Sequence, residues 1–399
     1  MSEIKVKAAQ SSLSSQWRVL AGIVLISLTM RAPITSVGPL VGSIRESIGL
    51  SGTAAGLLTT LPLLAFALLS PFAPALARRF GLERVLLYAL VLLMVGIAIR
   101  SITDTAPLFA GTVVLGLAIA VFNVLLPGLV KRDFPRHVGL VTGMYSVAMN
   151  LCGAIASGIS VPISRNLGLG WNGAIGFWGI LTLLAALFWL PQVRKARASV
   201  SISAVADAQR RSLWRSPLAW FVTLFMGTQS LIFYVTIAWF PEIMASRGLS
   251  ADTAGWMLSL LQFAVLPVSF IVPIVAGRMK NQRPLVAIMA VLLVLAIGGL
   301  YFGGNALIPL WTILLGIGAG FAFSLAMIFL SLRTNDARDA AALSGMAQSV
   351  GYLLAATGPT LFGLLHDVTA NWDLPLLLLL AVSGLLFLFG LGAANNRTV

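Results

Sequence analysis

An arginine stands near the middle of the first long apolar stretch of this chain. Residues 19–41 read VLAGIVLISLTMRAPITSVGPLV, and Arg31 is the one charged residue among them. Trp17 and Arg18 mark the expected water interface, so at a rise of about 1.5 Å per residue Arg31 lies about 20 Å into a hydrocarbon layer about 30 Å thick. A guanidinium there costs between about 3 and more than 10 kcal/mol. We therefore expect Arg31 to face a polar or water-filled interior rather than lipid.

The residues around Arg31 support this expectation. Thr35 follows one helical turn later on the same face. Pro33 and Pro39 have no amide hydrogen to donate, so backbone carbonyls of this helix are left unpaired. Irregular backbone at membrane depth is tolerated only where it is enclosed by protein or lines a cavity. Two interpretations remain open: Arg31 is a counter-charge for a ligand, or it caps the carbonyls that the prolines release.

Long apolar runs recur along the rest of the chain. Of its residues, 59% are hydrophobic and 10% are charged, which no soluble domain of this length shows. The single cysteine, Cys152, excludes a disulfide framework or a cysteine metal site. The runs predict an all-α membrane protein with twelve transmembrane helices, at about residues 18–42, 52–76, 85–102, 108–130, 140–163, 173–191, 217–240, 252–276, 285–302, 307–332, 342–365 and 374–393.

The connections between these runs alternate in charge. The two tails and the even-numbered connections hold 21 Lys and Arg residues, whereas the opposite connections hold 4, namely Arg45, Arg100, Arg165 and Arg247. Because basic residues stay in the cytoplasm, both termini are expected there. The formal net charge of +14 then reflects membrane topology, so we expect lipid and no nucleic acid as partners.

A repeat divides the chain into two bundles. Residues 49–56, GLSGTAAG, match residues 248–255, GLSADTAG, at an offset of 199, and the same register pairs Arg31 with Ser230. The predicted organisation is an N-terminal six-helix bundle with a short cytoplasmic tail over residues 1–191, a cytoplasmic linker over 192–216, and a C-terminal six-helix bundle over 217–399. Two parallel six-helix bundles around a central site are the architecture of major facilitator transporters.

The loop after the second run resembles the signature of that superfamily. Residues 74–84, PALARRFGLER, retain much of the pattern, but Arg78 stands where the signature has aspartate and Pro74 where it has glycine. The usual charge-relay latch of this loop would have to use another acid, such as Glu83 or Asp133.

Four segments resemble the cyanate/2-nitroimidazole porter family of bacteria more closely: residues 30–40, 57–62, 126–135 and 344–352. The resemblance implies a multi-pass transporter of the inner membrane that works by alternating access and needs no cofactor. Its substrate would be a small anion, or a weakly acidic or dipolar molecule similar to cyanate or 2-nitroimidazole. A monomer would suffice for such a fold.

In this family the first, fourth, seventh and tenth spans line most of the cavity, with help from the fifth, eighth and eleventh. The resemblance, together with the polarity of the side chains, predicts three sets of functional residues. Each polar residue also has the simpler alternative of bonding a neighbouring helix. The expected substrate-binding residues are Arg31, Asn123, Gln229, Tyr234, Gln262 and Gln348; the cavity wall or second layer is Thr35, Phe122, Asn150 and Tyr352; and the cytoplasmic gating residues are Arg79, Arg84 and Asp133.

All 12 acidic residues fall in tails, loops or span ends. Proton-coupled carriers usually keep an ionisable group within the membrane, so the chain is uncoupled, or its substrate carries the proton, or an acid such as Asp252 lies deeper than expected. We find no catalytic motif and predict no enzyme. The alternatives are an efflux carrier for a larger neutral or organic-anion substrate with a structural Arg31, and a non-transporting membrane sensor or an intramembrane enzyme.

Overall fold

Helices make up the regular structure of the part of the chain that the computed structural model describes, residues 13–50, 52–196 and 213–399, and no strand occurs there. In chain order they are α1 (Leu13–Thr35), α2 (Val41–Ile48), α3 (Gly52–Leu69), α4 (Ala73–Phe80), α5 (Leu82–Arg100), α6 (Thr105–Asp133), α7 (Val138–Arg165), α8 (Gly170–Gly176), α9 (Trp178–Ala196), α10 (Pro217–Ser246), α11 (Ala251–Arg278), α12 (Arg283–Phe302), α13 (Ile308–Leu332), α14 (Ala337–Thr369) and α15 (Asp373–Ala393).

These helices account for the twelve predicted spans. Among the described residues, 10 helices are long and apolar enough to cross a membrane, and the bent pair α3–α4 makes 11. Helix α14 has 33 residues, about 50 Å of helix, so it is long enough to be the twelfth although it is more polar than the others. The second predicted span differs in detail: α3 ends at Leu69 and α4 leaves it at 53°, because Pro71 and Pro74 interrupt the backbone ladder.

The halves consist of α1–α9 and α10–α15. Helix α6 is the most deeply buried of the spans, and it contacts α3, α5 and, across the molecule, α14. The predicted linker begins inside α9, which continues to Ala196, and its last residues form a 3₁₀ turn, Leu213–Arg215, before α10. The middle of that linker, residues 197–212, lies outside the described residues, as does the tail before residue 13.

Two ends of the molecule are distinguished by charge. We call "basic end" the end at which α4, α6 and α13 finish, with Arg79, Arg132 and Arg333, and "far end" the opposite one, with Arg100 and Arg247. Hydrogen bonds join the two halves in the part of the helices toward the basic end. Ser349 Oγ donates to the Ala67 carbonyl at 2.7 Å, Ser344 Oγ to the Asn123 carbonyl at 3.1 Å, and Ser331 Oγ to the Pro127 carbonyl at 3.3 Å.

Glycines let the backbones of the halves approach each other in the same region. A Cβ on Gly143 of α7 would lie 2.8 Å from the Phe270 carbonyl of α11, and one on Gly345 of α14 would lie 2.9 Å from the Ser70 carbonyl. Both distances are too short for any other residue without movement of the helices. We call the contact that these hydrogen bonds and glycines form between the halves the seam. Gly143 and Gly345 are repeat equivalents at an offset of 202, so the seam has an approximate two-fold relation.

Candidate functional site

The end of α1 shapes the region around Arg31. The helix ends at Thr35, Ser36 donates its amide to the Ala32 carbonyl at 3.0 Å, and the chain then turns through a short 3₁₀ segment, Gly38–Leu40. The Thr35 hydroxyl lies 2.8 Å from the Gly153 carbonyl of α7 and 3.2 Å from the Arg31 carbonyl. These contacts fix the last turn of α1 against α7, one helical turn beyond Arg31.

Arg31 presents an uncommitted guanidinium. Its methylene groups pack on Gly153, where an added Cβ would lie 3.1 Å from Cγ and Cδ. Its Cζ lies 4.7 Å from the centre of the Phe233 ring and 5.7 Å from that of Phe323, within the range of cation–π attraction. The side chain is half-buried, and its guanidinium makes no hydrogen bond or ion pair with the described residues. Five N–H donors are therefore available to a ligand or to water.

A different arginine caps the backbone near the proline break. Arg100, at the end of α5, is 1% exposed and donates from Nη1 to the Pro33 carbonyl at 2.7 Å. Arg100 therefore caps the Pro33 carbonyl at the end of α1, whereas the guanidinium of Arg31 donates to no carbonyl among the described residues. The arginine that caps the end of α1 thus comes from another helix, α5.

Aromatic rings continue from Arg31 across both halves. The Phe233 ring lies 5.3 Å from Tyr234, Tyr234 lies 6.5 Å from Tyr352, and Tyr352 lies 4.9 Å from Phe66 of the N-terminal half. Neither the Tyr234 nor the Tyr352 hydroxyl has a hydrogen bond to the residues described. This series of rings therefore brings Tyr234 and Tyr352 into the same region as Arg31, and the three side chains form no hydrogen bond with one another.

The predicted amide residues are placed differently from one another. Gln348 is fully buried on α14, and neither amide atom has a partner in the described part of the chain; such a group costs about 1–3 kcal/mol. Asn123 is 8% exposed. Its backbone carbonyl accepts a hydrogen bond from the Ser344 hydroxyl, so Asn123 lies at the contact between α6 and α14. Gln229 bonds within its own helix, to Met226 and to Ser230 Oγ at 2.7 Å.

The remaining predicted residues have no described contact with Arg31. Asn150 Nδ2 donates to Ser269 Oγ at 3.3 Å and so joins α7 to α11. Gln262 is half-buried on α11, and no described contact connects it with the Arg31 rings. Phe122 is completely buried in the hydrophobic core of the molecule, where it packs against apolar neighbours and has no access to solvent.

An ion pair holds the basic end of the N-terminal half. Arg132 Nη1 lies 2.8 Å from Glu83 Oε1, which joins α6 to α5, and Arg132 Nε lies 2.6 Å from Asp133. The Asp133 carbonyl accepts a hydrogen bond from Gln16 of α1 at 3.2 Å. Of the two nominated arginines, Arg79 covers the neighbouring Phe80 ring at 5.3 Å, and Arg84 is half-buried at the start of α5.

The sequence did not predict a role in the site for four residues of these arrangements: Phe233, Phe323, Arg100 and Arg132. The first two have a weak signal, because Phe233 adjoins Tyr234 and both lie in spans expected to line the cavity. Arg100 looked like a loop residue, and only its burial distinguishes it. The described acids lie near helix ends, and no group of acidic, histidine or cysteine residues in the described chain could hold a metal ion.

Comparison with known proteins gives a consistent result. Residues 22–359 match the family described as Major Facilitator Superfamily. The chain is 46% identical over 391 residues to the 2-nitroimidazole transporter of Escherichia coli (strain K12), covering 98% of this chain and 99% of that protein. It is also 46% identical over 388 residues to the uncharacterized transporter YycB of Bacillus subtilis (strain 168), covering 97% and 96%.

More distant relatives agree. The cyanate transport protein CynX of Escherichia coli (strain K12) is 26% identical over 355 residues, which cover 89% of this chain and 91% of that protein. Among solved structures, the proton:xylose symporter XylE bound to 6-bromo-6-deoxy-D-glucose has a TM-score of 0.77 at 15% identity, covering 94% and 95% of the two chains. That similarity concerns the fold, and it supports two six-helix halves.

Proposed function

This chain belongs to the Major Facilitator Superfamily, and we propose that it carries a small, flat, weakly acidic or anionic molecule, similar to a 2-nitroimidazole, at a site centred on Arg31. It is a multi-pass membrane transporter of small molecules and not an enzyme. The proposal concerns the substrate class, the residues that bind it and the transport mechanism.

The observation that carries the proposal is the state of the Arg31 guanidinium. It is half-buried, it stands against two phenyl rings, and no carboxylate or carbonyl among the described residues receives its N–H groups. A buried cation without a partner is strongly unfavourable at membrane depth. A ligand with a negative charge or a strong dipole would supply the missing interaction, and the planar guanidinium suits two neighbouring acceptor atoms on one group.

The surrounding rings favour a flat, delocalised ligand. Phe233 and Phe323 flank the cation, while Tyr234 and Tyr352 add two hydroxyls without hydrogen-bond partners. Aromatic side chains stack on planar ligands in offset or edge-on geometries. A nitroimidazole offers a ring for this stacking and adjacent nitro oxygens for Arg31, whereas linear cyanate offers only its ends. The greater similarity to the 2-nitroimidazole transporter than to CynX points the same way.

The electrical cost of transport also depends on the ligand. A membrane potential opposes anion entry by about 2.3 kcal/mol per charge per 100 mV. A weak acid that crosses in its neutral form escapes this cost, and a dipolar nitro group still engages Arg31. With no acidic residue expected at the midplane, we infer that any proton crosses with the substrate rather than on the protein.

We infer alternating access from the seam. With the basic end in the cytoplasm of a bacterial inner membrane, by the charge rule, the halves are in contact on the cytoplasmic side through Gly143 and Gly345. Gly38 and Pro39, on the far side of Arg31, are exposed. This combination corresponds to an outward-facing state. Transport would then require the glycine seam to open while the far end closes over the ligand.

The alternative of an efflux carrier with a structural Arg31 has less support. A structural arginine would be expected to donate to backbone or to an acid, as Arg100 does to the Pro33 carbonyl. Arg31 has instead the arrangement of a binding group whose partner comes from outside the chain.

The test is uptake by purified protein in liposomes. Labelled 2-nitroimidazole and cyanate are supplied separately to wild type and Arg31→Gln, with imposed voltage and pH gradients varied independently. We expect 2-nitroimidazole uptake that does not follow voltage, and a loss of about 100-fold in kcat/KM in Arg31→Gln, because removing one partner of a desolvated charged interaction costs about 2–5 kcal/mol.

Arg165→Gln is the matched control, since Arg165 is an exposed arginine at the far end and its loss should leave uptake within about twofold of wild type. Equal uptake by wild type and Arg31→Gln would contradict the assignment of Arg31. Uptake of cyanate alone, following voltage, would replace the planar weak acid with a small anion.

A further inference from the structure

Three features occur together in the N-terminal half and are absent from the equivalent positions of the C-terminal half. They are the charge of Arg31, the proline in the last turn of α1, Pro33, and the buried Arg100. At the repeat offset of 199, their counterparts are Ser230, Ile232 and Gly299. A need common to both bundles would be met twice. The trio therefore suggests one functional unit in which Arg100 serves the Arg31 site.

Contacts in the structure connect the members of the trio. Arg100 reaches from α5 to the Pro33 carbonyl at 2.7 Å, two residues beyond Arg31. Ser36 Oγ approaches the same carbonyl at 3.4 Å, and the helix ends there. The last carbonyls of a helix have no partner in the helix itself, so a cationic donor is favourable at this point. The orientation of the turn that carries Arg31 thus depends on a hydrogen bond from Arg100.

The backbone of Arg100 is itself tightly seated. A Cβ on Gly111 of α6 would lie 2.4 Å from both the Cβ and the amide nitrogen of Arg100, and a Cβ on Gly96 would lie 2.7 Å from the Leu115 nitrogen. Helices α5 and α6 are therefore in backbone contact at this level. Because this contact leaves the backbone of Arg100 little freedom, the hydrogen bond to Pro33 ties the end of α1 to the α5–α6 pair.

The charge of Arg100 is uncompensated. The side chain is 1% exposed, its Nε has no hydrogen-bond partner among the described residues, and no described acid pairs with it. Its place at the equivalent end of α12 is taken by Gly299, which leaves room for the Trp311 ring. The hydrogen bond to the Pro33 carbonyl places this buried charge beside the turn of α1 that carries Arg31, and screening by water is weak around a buried charge.

We propose that Arg100 is a positioning residue for the Arg31 site: it holds the end of α1 so that the Arg31 guanidinium stays unpartnered, and it adds a second positive charge to the field that acts on the negative end of the substrate. This role rests on the function proposed above, because it assumes that Arg31 binds substrate. The field itself can be measured without any substrate.

The experiment uses full-length protein in liposomes, with Cys152→Ser as background and Thr35→Cys as reporter. Thr35 is half-exposed one turn from Arg31. The rates at which an anionic and a cationic methanethiosulfonate of similar size modify the introduced thiol are compared. We expect Arg100→Gln to lower the anionic-to-cationic rate ratio by about tenfold, and Arg100→Lys, which keeps the charge, to leave it within about twofold.

Arg247→Gln is the matched control. Arg247 is a half-buried arginine at the far end of the other half, and it donates to the Leu300 and Gly303 carbonyls at the end of α12. Its removal is expected to lower the melting temperature about as much as Arg100→Gln does, without changing the rate ratio. If both variants lower the melting temperature and neither changes the ratio, Arg100 is only a structural cap and the proposal is overturned.

Transport supplies the second measurement. For 2-nitroimidazole uptake we expect Arg100→Gln to raise KM by about tenfold with a smaller change in kcat, and Arg100→Lys to restore KM to within about threefold of wild type. Should Arg100→Gln fail to accumulate, a tenfold fall of the rate ratio in Arg100→Lys would contradict the proposal, because the charge is retained. A changed ratio without any Arg31-dependent uptake would uphold the field and reject the proposed substrate.

Discussion

Helix α10 runs unbroken for 30 residues, Pro217–Ser246, whereas its repeat equivalent α1 ends at Thr35 after 23. Where α1 has Arg31, α10 has Ser230, which is 4% exposed and receives a hydrogen bond from its neighbour Gln229. Where α1 has Pro33 and ends two residues later, α10 continues. The two halves share an architecture, but only the N-terminal one has a cation at this position.

The difference shows how a duplicated bundle divides its tasks. The charge, the irregular backbone and the arginine that supports it are grouped in one half, while the other half supplies rings, Phe233 and Phe323, that flank the charge. Each half alone would be incomplete. A site shared in this way would respond to relative motion of the halves, as the alternating access proposed above requires.

The two halves also differ at the basic end. Glu83 and Gln282 are equivalent at the offset of 199. In the N-terminal half Glu83 forms an ion pair with Arg132, whereas in the C-terminal half Gln282 accepts a hydrogen bond from Arg333, which also donates to the Ala393 carbonyl at 2.8 Å. Burial lowers the pKa of Arg333 to about 10, so it remains charged at neutral pH. One half uses a partly exposed ion pair, and the other a buried charge–amide contact.

Moving the charge between the halves tests the main comparison and should have the largest effect. Ser230→Arg places a guanidinium in a buried position of an unbroken helix, and we expect it to destabilise the protein by about 3 kcal/mol or more. The double variant Arg31→Ser, Ser230→Arg should therefore lack uptake. Melting temperature and uptake are measured, with Ser230→Ala as control. Wild-type uptake by the double variant would mean that the halves are interchangeable.

Enlarging the glycine seam should have an intermediate effect. Gly345→Leu would force α14 away from the Ser70 carbonyl, and Gly143→Leu would do the same at its repeat equivalent. We expect each to favour opening at the basic end by about tenfold, which corresponds to about 1.4 kcal/mol. The rate at which a membrane-impermeant maleimide modifies Ser349→Cys in inside-out vesicles, in a Cys152→Ser background, reports this opening.

Gly384→Leu is the control for the seam, because nothing lies within 4 Å of a Cβ at Gly384. Unchanged labelling in both seam variants would show that the halves do not separate along this line. A response in only one of them would show that the pseudo-symmetry of the seam is not functional.

Exchanging the acid Glu83 and the amide Gln282, which are equivalent in the two halves at the basic end, should have the smallest effect. Glu83→Gln removes an ion pair whose arginine is 41% exposed, so we expect a loss of about 0.5–1 kcal/mol and a weaker salt dependence of the melting temperature. Gln282→Glu should cost more, about 1–3 kcal/mol, because Gln282 also donates to the Ala276 and Met279 carbonyls. A salt dependence unaltered in Glu83→Gln would exclude the ion pair as a contributor.

Most of the fold follows from sequence alone. The apolar runs, the charge alternation and the repeat predict an all-helical major facilitator fold, and the structure and relatives confirm it. The break between α3 and α4 was missed although Pro71 and Pro74 were visible, because hydropathy continues across a bend that hydrogen-bond geometry imposes. Hydropathy measures how well a segment tolerates lipid, and it carries little information on direction.

The sequence by itself determined that Arg31 stands near the middle of an apolar stretch, from which we expect it to face something polar, since a guanidinium in hydrocarbon without water or a polar partner is costly. Only the tertiary structure decided what faces it. Phe233 and Phe323 come from helices some two hundred residues or more away in sequence, and Arg100, which resembles a loop residue, is buried against Pro33. Such contacts depend on how helices pack, and packing is decided by surfaces that meet only after the chain has folded.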